Sequence, residues 1–164
     1  MSDSDFSEVV RLNNLGYDHF LKKEFDEAIK CYDQALALCH EKEQKAGMLY
    51  NKGMSLMESG KHDEGAEVLN QAASMMRDNG EFLNECGLLC FNNKCNCEAG
   101  YFYGLAEKAG TPGTSLLNNI GVLNFVQGNY KKAADYFQAA LEADRNNSDA
   151  RLNLEDTREV LGDC

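Results

Sequence analysis

Residues 12–16 read Leu-Asn-Asn-Leu-Gly, and residues 117–121 read Leu-Asn-Asn-Ile-Gly. Each pentapeptide sits in a run whose apolar residues recur with helical period. Yet Asn is a mediocre helix former, and Gly inside a helix costs about 1 kcal/mol relative to Ala. The same unfavourable choice made twice, 105 residues apart (121 − 16), points to an internal repeat in which the glycine lets helices pack closely. Alignment on that glycine gives Gly16, Gly53, Gly87 and Gly121, separated by 37, 34 and 34 residues. Twelve residues after each stands a small residue: Ala28, Gly65, Ala99 and Ala133. Four further on is a large one (Tyr32, Leu69, Tyr103, Phe137), and three beyond that an alanine (Ala35, Ala72, Ala106, Ala140). Small residues that admit a neighbouring backbone, with an aromatic filling the gap, are the requirements of stacked helical hairpins.

The four columns resemble the tetratricopeptide (TPR) repeat, a 34-residue helix A–turn–helix B hairpin. The resemblance covers about residues 9–147. LNNLGYDHFLKKEFDEAIKCYDQALAL and LLNNIGVLNFVQGNYKKAADYFQAALEAD match strongly. LYNKGMSLMESGKHDEGAEVLNQAA matches well, with Gly65 where the family usually has Ala. LNECGLLCFNNKCNCEAGYFYGLAEKAG is weakest, because Lys94-Cys95-Asn96 replaces a glycine-aromatic turn, and Pro112 falls one residue later than the family's terminal proline. The resemblance implies an all-α fold: a right-handed TPR superhelix of four helix–turn–helix repeats (about 9–45, 46–79, 80–113 and 114–147) in a single domain, 1–164. Helix A is expected over about 7–22, 45–59, 80–92 and 114–127, and helix B over about 25–41, 62–77, 96–109 and 130–143. Three extra residues in the first unit, near CHEKEQK, are expected to lengthen its helix B by under a turn. Ser148-Asp149 reads as a helix start, and ARLNLEDTREVL continues it as a solvating cap over 148–162.

A net charge of −11 over 164 residues disfavours nucleic acid and anionic membrane as partners. No apolar run reaches the length of a membrane span, and MSDSDFSEVV lacks the apolar core of an export signal. Seven scattered cysteines, an odd number, then read as reduced thiols of a cytoplasmic or nuclear protein.

The resemblance also implies a binding face. Counting repeats from Val9, Ala46, Gly80 and Thr114, positions 2, 5, 6, 9, 12 and 13 of helix A look into a concave groove. Position 6 reads Asn14, Asn51, Glu85 and Asn119, with Asn153 at the same place in the cap. This is similar to the asparagine ladder with which some TPR proteins hold an extended peptide. A carboxamide carries both donor and acceptor, so it can pair with a peptide group whatever its side chain. Asn84 and Asn118 at position 5 and Tyr17 at position 9 join the candidate site. Phe20, Met57, Phe91 and Phe125 at position 12 are expected to wall its pockets. Glu58, Glu81 and Glu85 call for a partner segment carrying Lys or Arg. The chaperone carboxylate clamp of other TPR domains is not supported: its five places hold Asn13, Tyr17, Asn51, Glu81 and Glu85, one match, with two basic positions turned acidic.

Cys86, Cys90, Cys95 and Cys97 crowd into twelve residues, but their spacing fits no zinc signature, and packing is the expected role. Neither a metal nor any other cofactor is expected. No phosphate loop, dinucleotide fingerprint, nucleophile elbow or HExxH is present, and Asp26-Glu27 and Asp63-Glu64 open helices, where carboxylates suit the dipole. The sequence therefore reads as a non-catalytic adaptor binding an extended basic peptide. The alternatives are a structural solenoid that joins an assembly through its convex face and a cysteine metal or redox sensor.

Overall fold

The computed structural model describes residues 3–110 and 112–162, and every regular element among them is an α-helix. The hairpins are α1 (Asp3–Leu21) with α2 (Phe25–Leu38), α3 (Lys42–Glu58) with α4 (His62–Met75), α5 (Gly80–Asn92) with α6 (Asn96–Lys108), and α7 (Thr114–Val126) with α8 (Tyr130–Ala143). α9 (Ser148–Leu161) follows. The chain divides into two compact units: one runs to Arg77 and takes in Asn92–Cys95, the other holds Asp78–Phe91 and the residues from Asn96 on.

Within each hairpin the glycine column does what its cost implied. A Cβ added to Gly16 would lie 2.7 Å from Tyr32 Cε1, one on Gly53 2.9 Å from Leu69 Cδ2, and one on Gly87 2.5 Å from Tyr103 Cδ1. On Gly121 it would run into the Phe137 ring. Tyr32, Leu69, Tyr103 and Phe137 are all buried, so each hydrogen at position 8 admits a large side chain at position 24. Full burial of such a side chain stabilises by about 1.5–3 kcal/mol, which outweighs the glycine's propensity cost. Two of these side chains bury a hydroxyl without a hydrogen-bond partner among the described residues, and that burial pushes Tyr32 up to about 12.

The turn between helices A and B repeats as well. Position 15 has positive φ in all four hairpins: Lys23 (61°), Gly60 (84°), Lys94 (64°) and Gly128 (79°). In three of them the following N–H reaches back to close the turn, from Glu24 to His19 O and Lys61 to Leu56 O at 2.9 Å each, and from Asn129 to Asn124 O at 2.9 Å. A left-handed lysine costs about 1–2 kcal/mol against glycine, less glycine's greater unfolded entropy. Lys94→Gly is accordingly expected to raise stability by about 0.5–1 kcal/mol, read as a higher urea midpoint with unchanged slope.

One expectation needs correction. The three extra residues do not extend α2, which ends at Leu38; they fall in α3, which starts at Lys42 and has 17 residues against 13 in α5 and α7. The chain breaks helix at Cys39, whose backbone is extended (φ −78°, ψ 139°) and whose buried thiol donates to Glu41 O and Gln44 Oε1, both at 3.6 Å. Burying Cys39 fixes the exit of α2, so the surplus has to join the next helix.

α9 has the start and stop expected of an isolated helix. Asn147 Oδ1 accepts the Ala150 N–H at 2.9 Å, and Gly162 closes the far end in the left-handed conformation. Ala150, Leu154 and Thr157 form its buried face, with Leu154 in one core with Ala133 and Phe137. At position 8, where each repeat has glycine, α9 carries Glu155, which is exposed.

Candidate peptide-binding face

The position 5 and 6 amides are brought together, but with one another. In the first unit Asn51 Nδ2 donates to Asn13 Oδ1 at 3.2 Å. In the second, Asn119 Nδ2 donates to Asn84 Oδ1 at 3.0 Å, and Asn153 Nδ2 to Asn118 Oδ1 at 2.9 Å. Three times, the position 6 amide of one helix A bonds the position 5 amide of the helix A before it. Asn84 also donates to Ser115 Oγ at 3.4 Å and is only 5% exposed. Three position 6 amides are thus paired with position 5 amides of a neighbouring helix A, and Asn84 is nearly buried where it does so. Asn51, Asn118, Asn119 and Asn153 remain half-buried, Asn14 is exposed, and each pairing uses only one of an amide's two N–H donors.

A double-mutant cycle measures this stacking. Asn84→Ala and Asn119→Ala are expected to show a coupling of about 1 kcal/mol in urea unfolding; simple additivity would mean that the bond contributes nothing.

Position 12 also departs from expectation. Met57 is 1% exposed and is no pocket wall. It lies over Gly65, its Cγ 2.9 Å from where a Cβ would stand, filling the space left by the missing alanine. Phe20 packs between Tyr17 (centroids 6.3 Å, stacked) and Phe25 (5.8 Å), while Phe125 meets Tyr130 edge-on at 5.2 Å. These two and Phe91 are half-buried.

What stays open differs between the units. On α1, Val10 (41% exposed), Tyr17 (46%) and Leu21 (62%) line up with Asn14 at i, i+4, i+7 and i+11, one helical stripe. In the second unit the corresponding face exposes Glu81 and Glu85 on α5, Val126 on α7, and Asp149, Leu152, Asp156 and Val160 on α9. Counting the cap in the same register, the charged residues at the six helix A positions are Glu58, Glu81, Glu85, Asp149, Asp156 and Glu159, with no Lys, Arg or His. Leu152, Asp156, Glu159 and Val160 were not among the sequence-derived candidates, although continuing the repeat register from Ser148 would have found them.

Among the described residues, a hollow opens beside helix A in each unit. The first, about 300 Å³, lies between α1 and α3 at Val10, Asn13, Gly47 and Asn51. The second, about 410 Å³, lies at Gly80, Glu81, Asn84, Pro112 and Ser115, against the end of α6.

Cys86 and Cys90 are buried in α5, and burial pushes the Cys86 thiol up to about 12, away from the thiolate that metal or redox chemistry requires. Among the described residues no three His, Cys, Asp or Glu side chains converge to hold a metal. No described helix is long and apolar enough to cross a membrane.

Helical hairpins that repeat a small-on-large packing column, stacked through helix A, define an α-solenoid of the TPR class. Models of the tetratricopeptide repeat match residues 9–42, 46–79 and 115–147, and the chain belongs to that family. A tetratricopeptide repeat protein from Parabacteroides merdae has a similar fold (TM-score 0.75, 21% identity, covering 96% of this chain and 62% of that one). So does BtubC from P. vanneervenii (TM-score 0.71, 17% identity, 98% and 82%). A chain of the APC/C hetero-tetramer Cut9–Hcn1 is similar at TM-score 0.66 and 17% identity over 94% of this chain, which spans only 30% of its length. No curated protein sequence matches the chain.

Proposed function

We propose that this chain is a non-catalytic adaptor that holds an extended segment of a partner protein on its helix A face, and that the segment mixes basic with apolar residues. The charge pattern carries the reading: in the second unit Glu81, Glu85, Asp149, Asp156 and Glu159, and no base, occupy the helix A positions, together with the exposed Val126, Leu152 and Val160. Acidic walls attract a cationic segment and repel acidic competitors, while exposed pairs contribute about 0–1 kcal/mol each, so affinity has to come from several of them plus apolar contact. A net charge of −11 argues against nucleic acid or an anionic membrane in the same role. The reading has the chain working in the cytoplasm, a reducing compartment suited to seven cysteines.

The amide pairs favour a second reading, a structural subunit whose helix A face is devoted to stacking and whose other surfaces join an assembly. The similarity to a chain of the Cut9–Hcn1 hetero-tetramer is compatible with it. Panning random displayed dodecapeptides on the immobilised chain separates the two. The adaptor reading expects enrichment of sequences with net positive charge and apolar residues. Their binding should fall at least tenfold in Leu152→Ser and in Glu85→Lys, both surface changes in the second unit. Enrichment of acidic sequences, or no enrichment while crosslinks from native extract fall on the helix B surfaces, would leave the assembly reading.

A further inference from the structure

Of the ten large apolar side chains left exposed among the described residues, five lie on α1: Phe6, Val10, Leu15, Tyr17 and Leu21. Phe6, Val10, the exposed Asn14, Tyr17 and Leu21 follow one another at steps of 4, 4, 3 and 4 residues, so they form one stripe along the helix. Val9, Leu12 and Gly16 are buried on another side of it. The end helix of a repeat array ordinarily turns a polar face outward. α9 does so, exposing Arg151, Glu155, Asp156, Arg158 and Glu159 beside Leu152 and Val160. α1 does not.

The last four stripe residues have the spacing of a coiled-coil seam, with Val10 and Tyr17 at d, Asn14 and Leu21 at a, and Phe6 one turn ahead. A single Asn at an a position is a device by which such seams fix their register, at a cost in stability. A second copy of α1 completes the seam. In an antiparallel pair a residues meet d residues, so Val10 packs on the partner's Leu21. Asn14 then meets the partner's Tyr17, whose hydroxyl can both donate to the amide and accept from it. The flanking e positions are the exposed Arg11 and Asp18, opposite in charge, and the antiparallel pairing sets each Arg11 beside the partner's Asp18. Arg11 also holds Glu8 of its own helix at 2.7 Å.

Charge selects this helix for a second copy. At −11, two copies repel each other over most of their surface. At positions 2, 6, 9 and 13 of helix A, α3 carries Glu58, α5 carries Glu81 and Glu85, and α9 carries Asp149 and Asp156, whereas α1 carries no charge. α7 carries none either, but of its four residues there only Val126 is large, apolar and exposed, against Val10, Tyr17 and Leu21 on α1. We propose that α1 is a homodimerisation helix, which docks antiparallel on α1 of a second copy along Phe6, Val10, Asn14, Tyr17 and Leu21. The proposal does not rest on the adaptor reading, whose acidic face lies in the other unit. Two heptads bury less than the roughly 1,200 Å² of a stable complex, so the dimer is weak and reversible.

The test is sedimentation velocity of the full chain, kept reduced, from about 5 μM to about 500 μM, over which the sedimentation coefficient is expected to climb from the monomer value toward the dimer value. Leu21→Glu, a change at an exposed site, should weaken the dimer at least tenfold. Asn14→Leu, which makes the seam wholly apolar, should tighten it at least threefold. Asp18→Arg should weaken it, and Arg11→Asp in the same chain should restore it. A monomer at every concentration, or a dimer that Leu21→Glu and Asn14→Leu leave unchanged, would overturn the proposal. So would a charge exchange that fails to restore the pairing. If the chain stays monomeric and panned peptides lose binding in Leu21→Glu, the stripe belongs to a partner segment and not to a second copy.

Discussion

Gly121→Ala lowers the stability of this chain by about 2–3 kcal/mol, although alanine is the better helix former by about 1 kcal/mol. The added methyl would enter the face of the Phe137 ring, which is buried in one core with Ala133 and Leu154 and has nowhere to yield. The cost should fall along the series in step with the gap: Gly87 under Tyr103 at 2.5 Å, Gly16 under Tyr32 at 2.7 Å, and least at Gly53, where the neighbour is the flexible end of Leu69 at 2.9 Å. Gly47→Ala serves as the opposite control. Nothing stands within 4 Å of its new methyl, so the propensity gain of about 1 kcal/mol should appear unopposed. Urea unfolding followed by circular dichroism reads all five variants. A stabilising Gly121→Ala would remove the packing account of the glycine column. Restoring room with Phe137→Leu in the Gly121→Ala background should recover more than half of the loss.

Gly65→Ala is expected to destabilise by about 1–2 kcal/mol, even though it installs the residue the family usually carries there. Changes toward a family's common residue ordinarily stabilise by about 0.5–2 kcal/mol, and helix propensity pushes the same way. Here both lose to backbone that cannot move aside: the new methyl would stand 3.2 Å from the Gly53 carbonyl oxygen and 3.3 Å from the Met57 nitrogen, besides 2.9 Å from Met57 Cγ. α3 and α4 have closed in on a hydrogen, and Met57 has folded over it. If the substitution raises the thermal midpoint instead, α3 and α4 are free to move apart and Met57 belongs back among the surface residues.

The hairpins were legible in the sequence because their determinants are short-range. Positions 8, 20, 24 and 27 lie within about one hairpin of each other, and small-against-large packing between adjacent antiparallel helices leaves a residue-type signature at each. The expected spans of α5, α7 and α8 accordingly fall within a residue of those observed. The third hairpin, weakest by pattern, still has its turn at Lys94, whose backbone takes the positive φ that lysine disfavours, as Lys23 does in the first. The destination of the three surplus residues was not legible. It depended on whether Cys39 is buried, and that is a property of the core around Val9, Leu12 and Met48.

The amino-acid sequence alone determined the repeat, the helix pairing, the acidic character of helix A and the glycines that must stay glycine, since each follows from residue type at a spacing within one hairpin. Only the tertiary structure decided what the asparagines and Met57 do. An amide has the same letter whether water, a ligand or another amide takes its proton, and the partners of Asn51, Asn119 and Asn153 stand 35 to 38 residues away on a neighbouring helix. Met57 likewise reads as a surface residue until Gly65 opens a space beneath it, because a flexible side chain goes where the packing leaves room.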